Sequence, residues 1–403
     1  IDIGKVNSVV QVTAPHSIAS LRQRMGRSGR RGGASILRML ITENELTKQS
    51  SIVDKLRLEL VQSLAIVRLL VASKWYEPAD SSLLHFSTLL HQILALTAQW
   101  GGIRADQIYS LLCKDGPFQH VTVTHFKCLL SHMGNTELIT QLGSGELVLG
   151  HAGEKITNHY SFYAVFKTPE EFRIISGSKT LGTLPVDSLI LEGQHIVFAG
   201  KRWVVELVDV EKQVILVNRA KGGQPPKFGG AGMAIHDVVR QEMFKILSES
   251  DYKIKVGEHR IEFADETAQS LFQEAAKFFQ TANLSKANFI QQGNRVVILP
   301  WAGDKVVNTI VAVLISKGFA AGAFAGIIEI EKADAQDVID ALKSFQTDGT
   351  ISAEELAESI PEKAIDKFDE YLPENLLLAG YAARAFDVLS TKLKIKELLT
   401  DFV

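Results

Sequence analysis

Apolar residues recur along this chain in two rhythms, and the changes of rhythm divide it. The run Val6–Val10 predicts a strand within residues 1–12, followed by a loop. Residues 17–31 read as a helix with a basic end, Gly32-Gly33 stops it, and Ala34–Thr42 reads as a second strand. Val53, Leu56, Leu60, Leu64, Val67 and Val71 recur at three- and four-residue spacing, which predicts one long helix over Ser51–Ser73. Pro78 and Asp80-Ser81-Ser82 then break the chain. Three helices are predicted next, over Ser82–Gln99, Ala105–Lys114 and Thr124–Met133, each stopped by a glycine. Leu138–Gln141 and Glu146–Leu149, joined by Gly143-Ser144-Gly145, read as a hairpin. Three short helices and a small hairpin are the order of a winged helix.

From about residue 159 the period shortens. Tyr160–Phe166, Phe172–Ser176, His195–Ala199, Trp203–Asp209 and Val214–Val217 read as strands of an antiparallel β module, closed by the Gly/Pro loop Gly222–Gly230. Beyond residue 232, helices over Asp237–Ser248, Asp265–Phe279, Asp304–Lys317 and Asp334–Phe345 alternate with strands Arg295–Leu299 and Ile327–Ile330, and Glu374–Phe402 reads as mostly helical. The fold class expected is multidomain, α/β and α+β.

The 403 residues suit two to four domains, and 46% hydrophobic with 22% charged residues is an ordinary globular balance. The longest uncharged apolar stretch, Gly318–Ile328, falls short of the ~18 residues that suggest a membrane span. Cys113 and Cys128 form no CxxC and no metal-ligand cluster, so neither a disulfide scaffold nor a zinc site is expected, and a reducing cytoplasm is the default. Charge is uneven. Residues 1–45 carry seven Lys/Arg against three acids, and residues 331–403 carry eight against sixteen. The basic end can meet phosphate; the acidic end reads as a solvated helical surface or a face for a protein partner. The opening IDIGKVNSVVQV has no signal-peptide features, lacks an initiator Met and starts in mid-strand, so a fragment of a longer protein is expected.

The most informative stretch is Gln23-Arg24-Met25-Gly26-Arg27-Ser28-Gly29-Arg30. Two glycines permit tight turns, and Arg27 and Arg30, three apart, can lie on one side of a turn. Guanidinium groups so placed bind polyphosphate and stabilise charge on a transferring phosphoryl group. QRMGRSGR resembles the sixth motif of superfamily 2 helicases, and Ile1-Asp2-Ile3-Gly4 with Val6–Val10 resembles the tail of their fifth; both belong to a second RecA-like domain. The resemblance implies that Asp2 contacts the ATP ribose, that Gln23 sits at the nucleotide edge, and that Arg27 and Arg30 are arginine fingers facing the γ-phosphate. The order of motor remnant, winged helix and β module, with GEKITNHYSFYAVF, FAGKRW and KGGQPPKFGG, is similar to the Lhr (large helicase-related) group of DEAD/DEAH-type helicases. It implies four divisions: the end of a RecA-like domain (1–45), a linker helix and winged helix (46–150), a β-rich module (151–235) and an α/β C-terminal helicase-associated domain (236–403). It also implies ATP and Mg in an intact parent, and 3′-to-5′ movement on single-stranded DNA.

These residues hold no GxxxxGK[ST], and Asp265-Glu266 is followed by Thr267-Ala268 rather than the rest of a DExH box. Phosphoryl transfer then lacks its phosphate cradle and magnesium carboxylate, so no ATPase activity is expected of this chain alone. Candidate nucleic-acid contacts are Lys127 on the third helix of the winged unit, with Thr124, His125, Ser131 and His132 on faces away from its apolar side; Lys201, Arg202 and Trp203 at a β-turn; and Lys221 and Lys227 beside the Gly/Pro loop. Trp203 reads either as core or as a stacking ring, and packing is the commoner outcome. Trp100 reads as packing. Single-stranded DNA is the expected partner, with RNA or a DNA–RNA hybrid left open. The rival reading is a non-enzymatic winged-helix regulator, which has no use for IDIG and QRxGRxGR in that order.

Overall fold

The computed structural model describes residues 6–29, 33–48, 50–80, 82–166, 170–177, 179–186, 195–198, 201–209, 212–219, 234–347, 351–360 and 363–400. Two compact units emerge, and neither is a continuous piece of chain. The first gathers residues 1–79, 232–356 and 385–403; the second gathers residues 80–231 and 357–384.

The first unit begins with β1 (Ser8–Val12), α1 (Ile18–Met25) and β2 (Ile36–Leu40). The two strands pair in parallel from Ser8↔Ile36 to Val12↔Leu40. A parallel pair needs a crossover, and α1 supplies it. The stripe expected to form one helix is instead split into α2 (Ile52–Lys55) and α3 (Leu58–Val71). Arg57 breaks it by taking a left-handed conformation, φ 48°. That turn lets its side chain, 4% exposed, donate to the Asn44 carbonyl and pair with Glu274 at 2.9 Å. The local helical pattern yields to an ion pair between the buried Arg57 and a half-exposed partner 217 residues away in sequence.

The second unit holds α4 (Phe86–Trp100), β3 (Ile103–Arg104), α5 (Ala105–Tyr109) running into a π turn (Ser110–Lys114), α6 (Val123–Asn135), β4 (Ile139–Gln141) and β5 (Glu146–Leu149). The three strands form a small antiparallel sheet in the order β3-β5-β4. Leu89, Leu90, Ile93, Ile108, Phe126, Leu129 and Leu147 share one core there. Trp100, expected to pack, ends α4 with half its surface exposed.

The strand expected over 160–166 is absent. In its place α7 (His151–Thr157) runs into a 3-10 turn (Tyr160–Tyr163). Only Phe162 of this stretch is buried, against the rings of His91 and Phe368 at 4.4 and 6.3 Å. One anchoring ring needs a turn, not a strand. The sheet that follows contains β6 (Glu170–Ser176), β7 (Lys179–Val186), β8 (His195–Phe198), β9 (Lys201–Asp209) and β10 (Val214–Arg219) in the order β7-β6-β10-β9-β8. It is mixed rather than antiparallel. β10 returns from β9 as a hairpin and so lies alongside β6 in parallel, Val214↔Arg173 to Leu216↔Ile175.

The chain then rejoins the first unit as α8 (Asp237–Glu249), β11 (Ile254–Val256), β12 (His259–Ile261) and α9 (Glu266–Thr281). Val239, Met243, Ile246, Phe272 and Phe279 from α8 and α9 share a core with Leu60, Val61 and Leu64 of α3 and with Ile18 and Leu21 of α1. Next come β13 (Phe289–Gln292), β14 (Arg295–Ile298), α10 (Asp304–Ser316), β15 (Ala320–Phe324), β16 (Ile327–Glu331) and α11 (Ala335–Thr347). The four strands form an antiparallel sheet in the order β13-β14-β16-β15. The apolar stretch Gly318–Ile328 is thus a hairpin, turned by Ala325 and Gly326, both at positive φ. After α12 (Ala353–Glu358), residues 363–384 with a 3-10 turn (Asp369–Tyr371) return to the second unit, where Phe368, Leu372 and Leu376 enter its core. α13 (Glu374–Ala385) leads out, and α14 (Val388–Leu398) packs on α10. Among the described residues no helix is long and apolar enough to cross a membrane.

Candidate functional site

The basic motif occupies the end of α1 and the turn after it. Ser17 caps the helix, its hydroxyl accepting from Ser20 N at 3.2 Å. Ile18 and Leu21 are fully buried and pin one face to the core. The remaining N-terminal amides of α1 are met from a distant segment: Ile18 N and Ala19 N each donate to the Glu77 carboxylate at 2.8 Å. Arg22 lies over the Tyr76 ring, 4.7 Å from its centre. At the other end Gly26 N donates to the Arg22 carbonyl, then Arg27 N and Ser28 N donate three residues back, tightening the last turn. Ser28 is buried, bridges Val6 beside β1, and its carbonyl accepts from Ser35 Oγ at 3.0 Å. Gly29 follows at φ +69°, where an added Cβ would meet Gly33 O and Ser35 N at 2.7 Å. Glycine is required there on both counts.

Arg27 is therefore held by its neighbours on both sides while its side chain is exposed and has no hydrogen-bond or ion-pair partner among the described residues. Gln23, four residues earlier, is exposed on α1. Arg24 is exposed and donates to Ser20 Oγ at 3.1 Å. Asp2 and Arg30 lie outside the described residues, as do Lys221 and Lys227. Among the described residues no three His, Cys, Asp or Glu side chains converge.

Lys127 is exposed on α6 between exposed Thr124 and Ser131, a polar stripe at helical spacing. His125, predicted to share that outward surface, is half buried and meets the Phe86 ring edge-on at 5.5 Å. Lys201 and Arg202 open β9 opposite Phe198 and Val197; the description covers their backbone. Trp203 is 7% exposed and packs with Phe172, Ile174, Val205, Ile215 and Val217. Its ring supports the sheet, as packing requires, and has no open face for a base.

A group that sequence reasoning missed stands on the 3-10 turn and just beyond it. Tyr160, Tyr163 and Phe166 are 82%, 92% and 84% exposed, although all three are large rings. The turn beneath them is braced by His91 Nε2 on the Phe162 carbonyl at 2.8 Å and by Lys367 Nζ on the Ala164 carbonyl at 2.7 Å. A cavity of about 290 Å³ beside it is lined by Lys155, His159, Phe162, Lys367 and Tyr371. Four aromatic residues within seven positions were visible in the sequence; which of them faces inward was not.

No family model matches the chain, and no curated protein matches it. Among solved structures, the helicase Lhr of Mycobacterium smegmatis, bound to single-stranded DNA and AMP-PNP, is similar with a TM-score of 0.50 at 15% identity, over 98% of this chain and 54% of that one. The chain has an Lhr-like helicase fold. It spans about half the length of the Lhr chain it matches. The DUF1998 helicase MrfA, bound to DNA, matches at a TM-score of 0.29 and 13% identity, over 100% of this chain and 50% of that one. On the Lhr-like fold the Arg27 motif lies in the crossover between the two strands of a parallel pair, and the exposed rings stand on the other compact unit.

Proposed function

We propose that the chain is the C-terminal portion of an ATP-dependent DNA helicase or translocase of the Lhr type. In this reading residues 1–45 end a second RecA-like domain, 46–150 form a linker helix and winged helix, 151–235 a β-rich module, and 236–403 an α/β helicase-associated domain. Arg27 and Arg30 supply positive charge to the γ-phosphate of ATP bound by the rest of the motor, and Asp2 and Gln23 contact the nucleotide. Lys127, Lys201, Arg202, Lys221 and Lys227 meet the phosphates of a single strand. Tyr160, Tyr163 and Phe166 join them as rings on which bases stack, since each presents an open π-face and Trp203 does not.

The observation that carries the proposal is Arg27: a cation without a partner among the described residues, on a backbone clamped between a helix end and the buried Ser28. An exposed arginine is ordinarily solvated; the rigid turn that fixes its backbone is what suits Arg27 to meet an anion arriving from elsewhere. The test is turnover. The 403-residue chain alone is expected to show no ATPase activity above blank, with or without single-stranded DNA. In the full-length enzyme Arg27→Ala is expected to lower kcat by about 10³-fold with DNA binding nearly intact, because arginine fingers act on transition-state charge. Near-normal kcat would make the motif a structural loop.

A further inference from the structure

The carboxylate of Glu77 binds the N-terminus of α1, the helix whose other end carries Arg27. Ile18 N and Ala19 N donate to its two oxygens at 2.8 Å each, and Ser17 Oγ lies 3.1 Å from Oε2. Glu77 stands 59 residues from Ile18 in sequence, beyond α3, in the last few residues before the second unit begins. Three features suit it to hold a helix in place. An anion at a helix N-terminus is favoured by the unpaired amides and by the helix dipole. Two amides on two oxygens fix direction as well as distance. The neighbouring Tyr76 adds a second grip, its ring under Arg22 one turn further along α1. α1 is only eight residues long, so a tilt at its start is carried to Gly26 and Arg27 with little to absorb it.

We infer that Glu77 is a positioning residue for the phosphate-facing arginine: it touches no nucleotide and acts by fixing the axis of α1. This rests on the proposed role of Arg27. The buried faces of Ile18 and Leu21 decide that α1 packs; Glu77 decides the angle at which its last turn leaves. Because geometry at a reacting phosphate is unforgiving, a displacement of about 1 Å can cost up to 10²-fold in rate.

The experiment compares Glu77→Ala, Glu77→Gln, Arg27→Ala and the double variant Glu77→Ala/Arg27→Ala in the full-length enzyme, with kcat and KM for ATP, Kd for single-stranded DNA and thermal unfolding measured on each. Glu77→Ala is expected to lower kcat by about 10- to 100-fold with KM and Kd close to wild type. Glu77→Gln keeps one acceptor oxygen and should fall between Ala and wild type. Added to Arg27→Ala, Glu77→Ala should cost far less than it does alone, since the principal group it positions is gone and, of the proposed nucleotide contacts in the motif, only Gln23 and Arg30 remain. Full additivity, or unchanged kcat per folded molecule in Glu77→Ala alongside a lower Tm, would make Glu77 a stability residue and overturn the inference while leaving the role of Arg27 standing. Normal kcat in Arg27→Ala would overturn the underlying reading, and this inference with it.

Discussion

Glu43 shows how one side chain can favour the fold in one way and oppose it in another. Its carboxylate accepts from Leu60 N at 2.9 Å and so satisfies an amide in the first turn of α3. Burial nevertheless pushes its pKa above the ordinary carboxylate value, against the lowering effects of that hydrogen bond and of Arg57. A carboxyl whose folded pKa is raised binds its proton more tightly in the folded chain. Its contribution is therefore most favourable below the unfolded pKa and is lost as pH rises through the folded one. Glu43→Gln keeps an acceptor for Leu60 N and removes the titration. Its Tm relative to wild type is expected to climb as pH rises above the ordinary carboxylate pKa of about 4 and to level off once the folded carboxyl has ionised. A difference that stays flat across this range would show that Glu43 ionises in the fold as freely as in water. Arg27 belongs to the same scale with the opposite character: it is a charge left in solvent at a rigid position, where an anion can find it.

At the scale of elements, the break between α2 and α3 is the clearest case of tertiary structure overruling local pattern. Arg57 is buried, its Nε has no partner, and it depends on Glu274 and the Asn44 carbonyl for compensation. Removing one member of such a pair leaves the other uncompensated, at a cost of about 3–5 kcal/mol for fully buried pairs and less here because Glu274 is 47% exposed. Arg57→Met and Glu274→Gln should each lower stability in urea unfolding, and the double variant should lose less than the sum of the two. Strict additivity would mean that the pair contributes nothing jointly. In the five-stranded sheet, Trp203→Phe should lower Tm modestly and leave single-strand affinity unchanged, as its 7% exposure dictates. A loss of affinity at unchanged Tm would put Trp203 back among the base contacts.

For the whole molecule, the acidic C-terminal stretch is not one surface. Residues 331–356 belong to the first unit, residues 357–384 send Phe368, Leu372 and Leu376 into the core of the second, and residues from 385 pack in the first again, where Ile395 and Leu398 are buried and Asp387 N donates to Thr309 Oγ1 at 3.0 Å. Deleting residues 331–403 would therefore open two cores, so charge is better tested by substitution. We expect the chain to bind single-stranded DNA weakly, in preference to duplex, with affinity falling steeply with salt. Each phosphate neutralised on a single strand should add about −0.7 to the log–log salt slope. Replacing Lys201 and Arg202 by Ala should flatten that slope by roughly 1 to 1.4. An unchanged slope would move the strand's path toward Lys127 and the exposed rings.

Much of this fold was legible in the sequence because its signals are local. The apolar rhythm of Phe86–Trp100 and Asp304–Ser316, Thr122, whose side chain caps α6 by accepting from His125 N, and the Gly143-Ser144-Gly145 turn act within a few residues, and helix or hairpin geometry follows from them. The Arg27 motif was legible for the same reason: its glycines and its spacing are properties of eight consecutive positions. Only the tertiary structure decided what depends on distant partners. It broke the long helix at Arg57, turned 160–166 from strand to turn because Phe162 alone found a core, and laid β10 parallel to β6. It also returned residues 363–384 to the second unit and brought Glu77 to the head of α1. Hydrogen bonds, buried charges and ring contacts between segments tens to hundreds of residues apart leave no periodicity in either segment, so no reading of one stretch at a time can contain them.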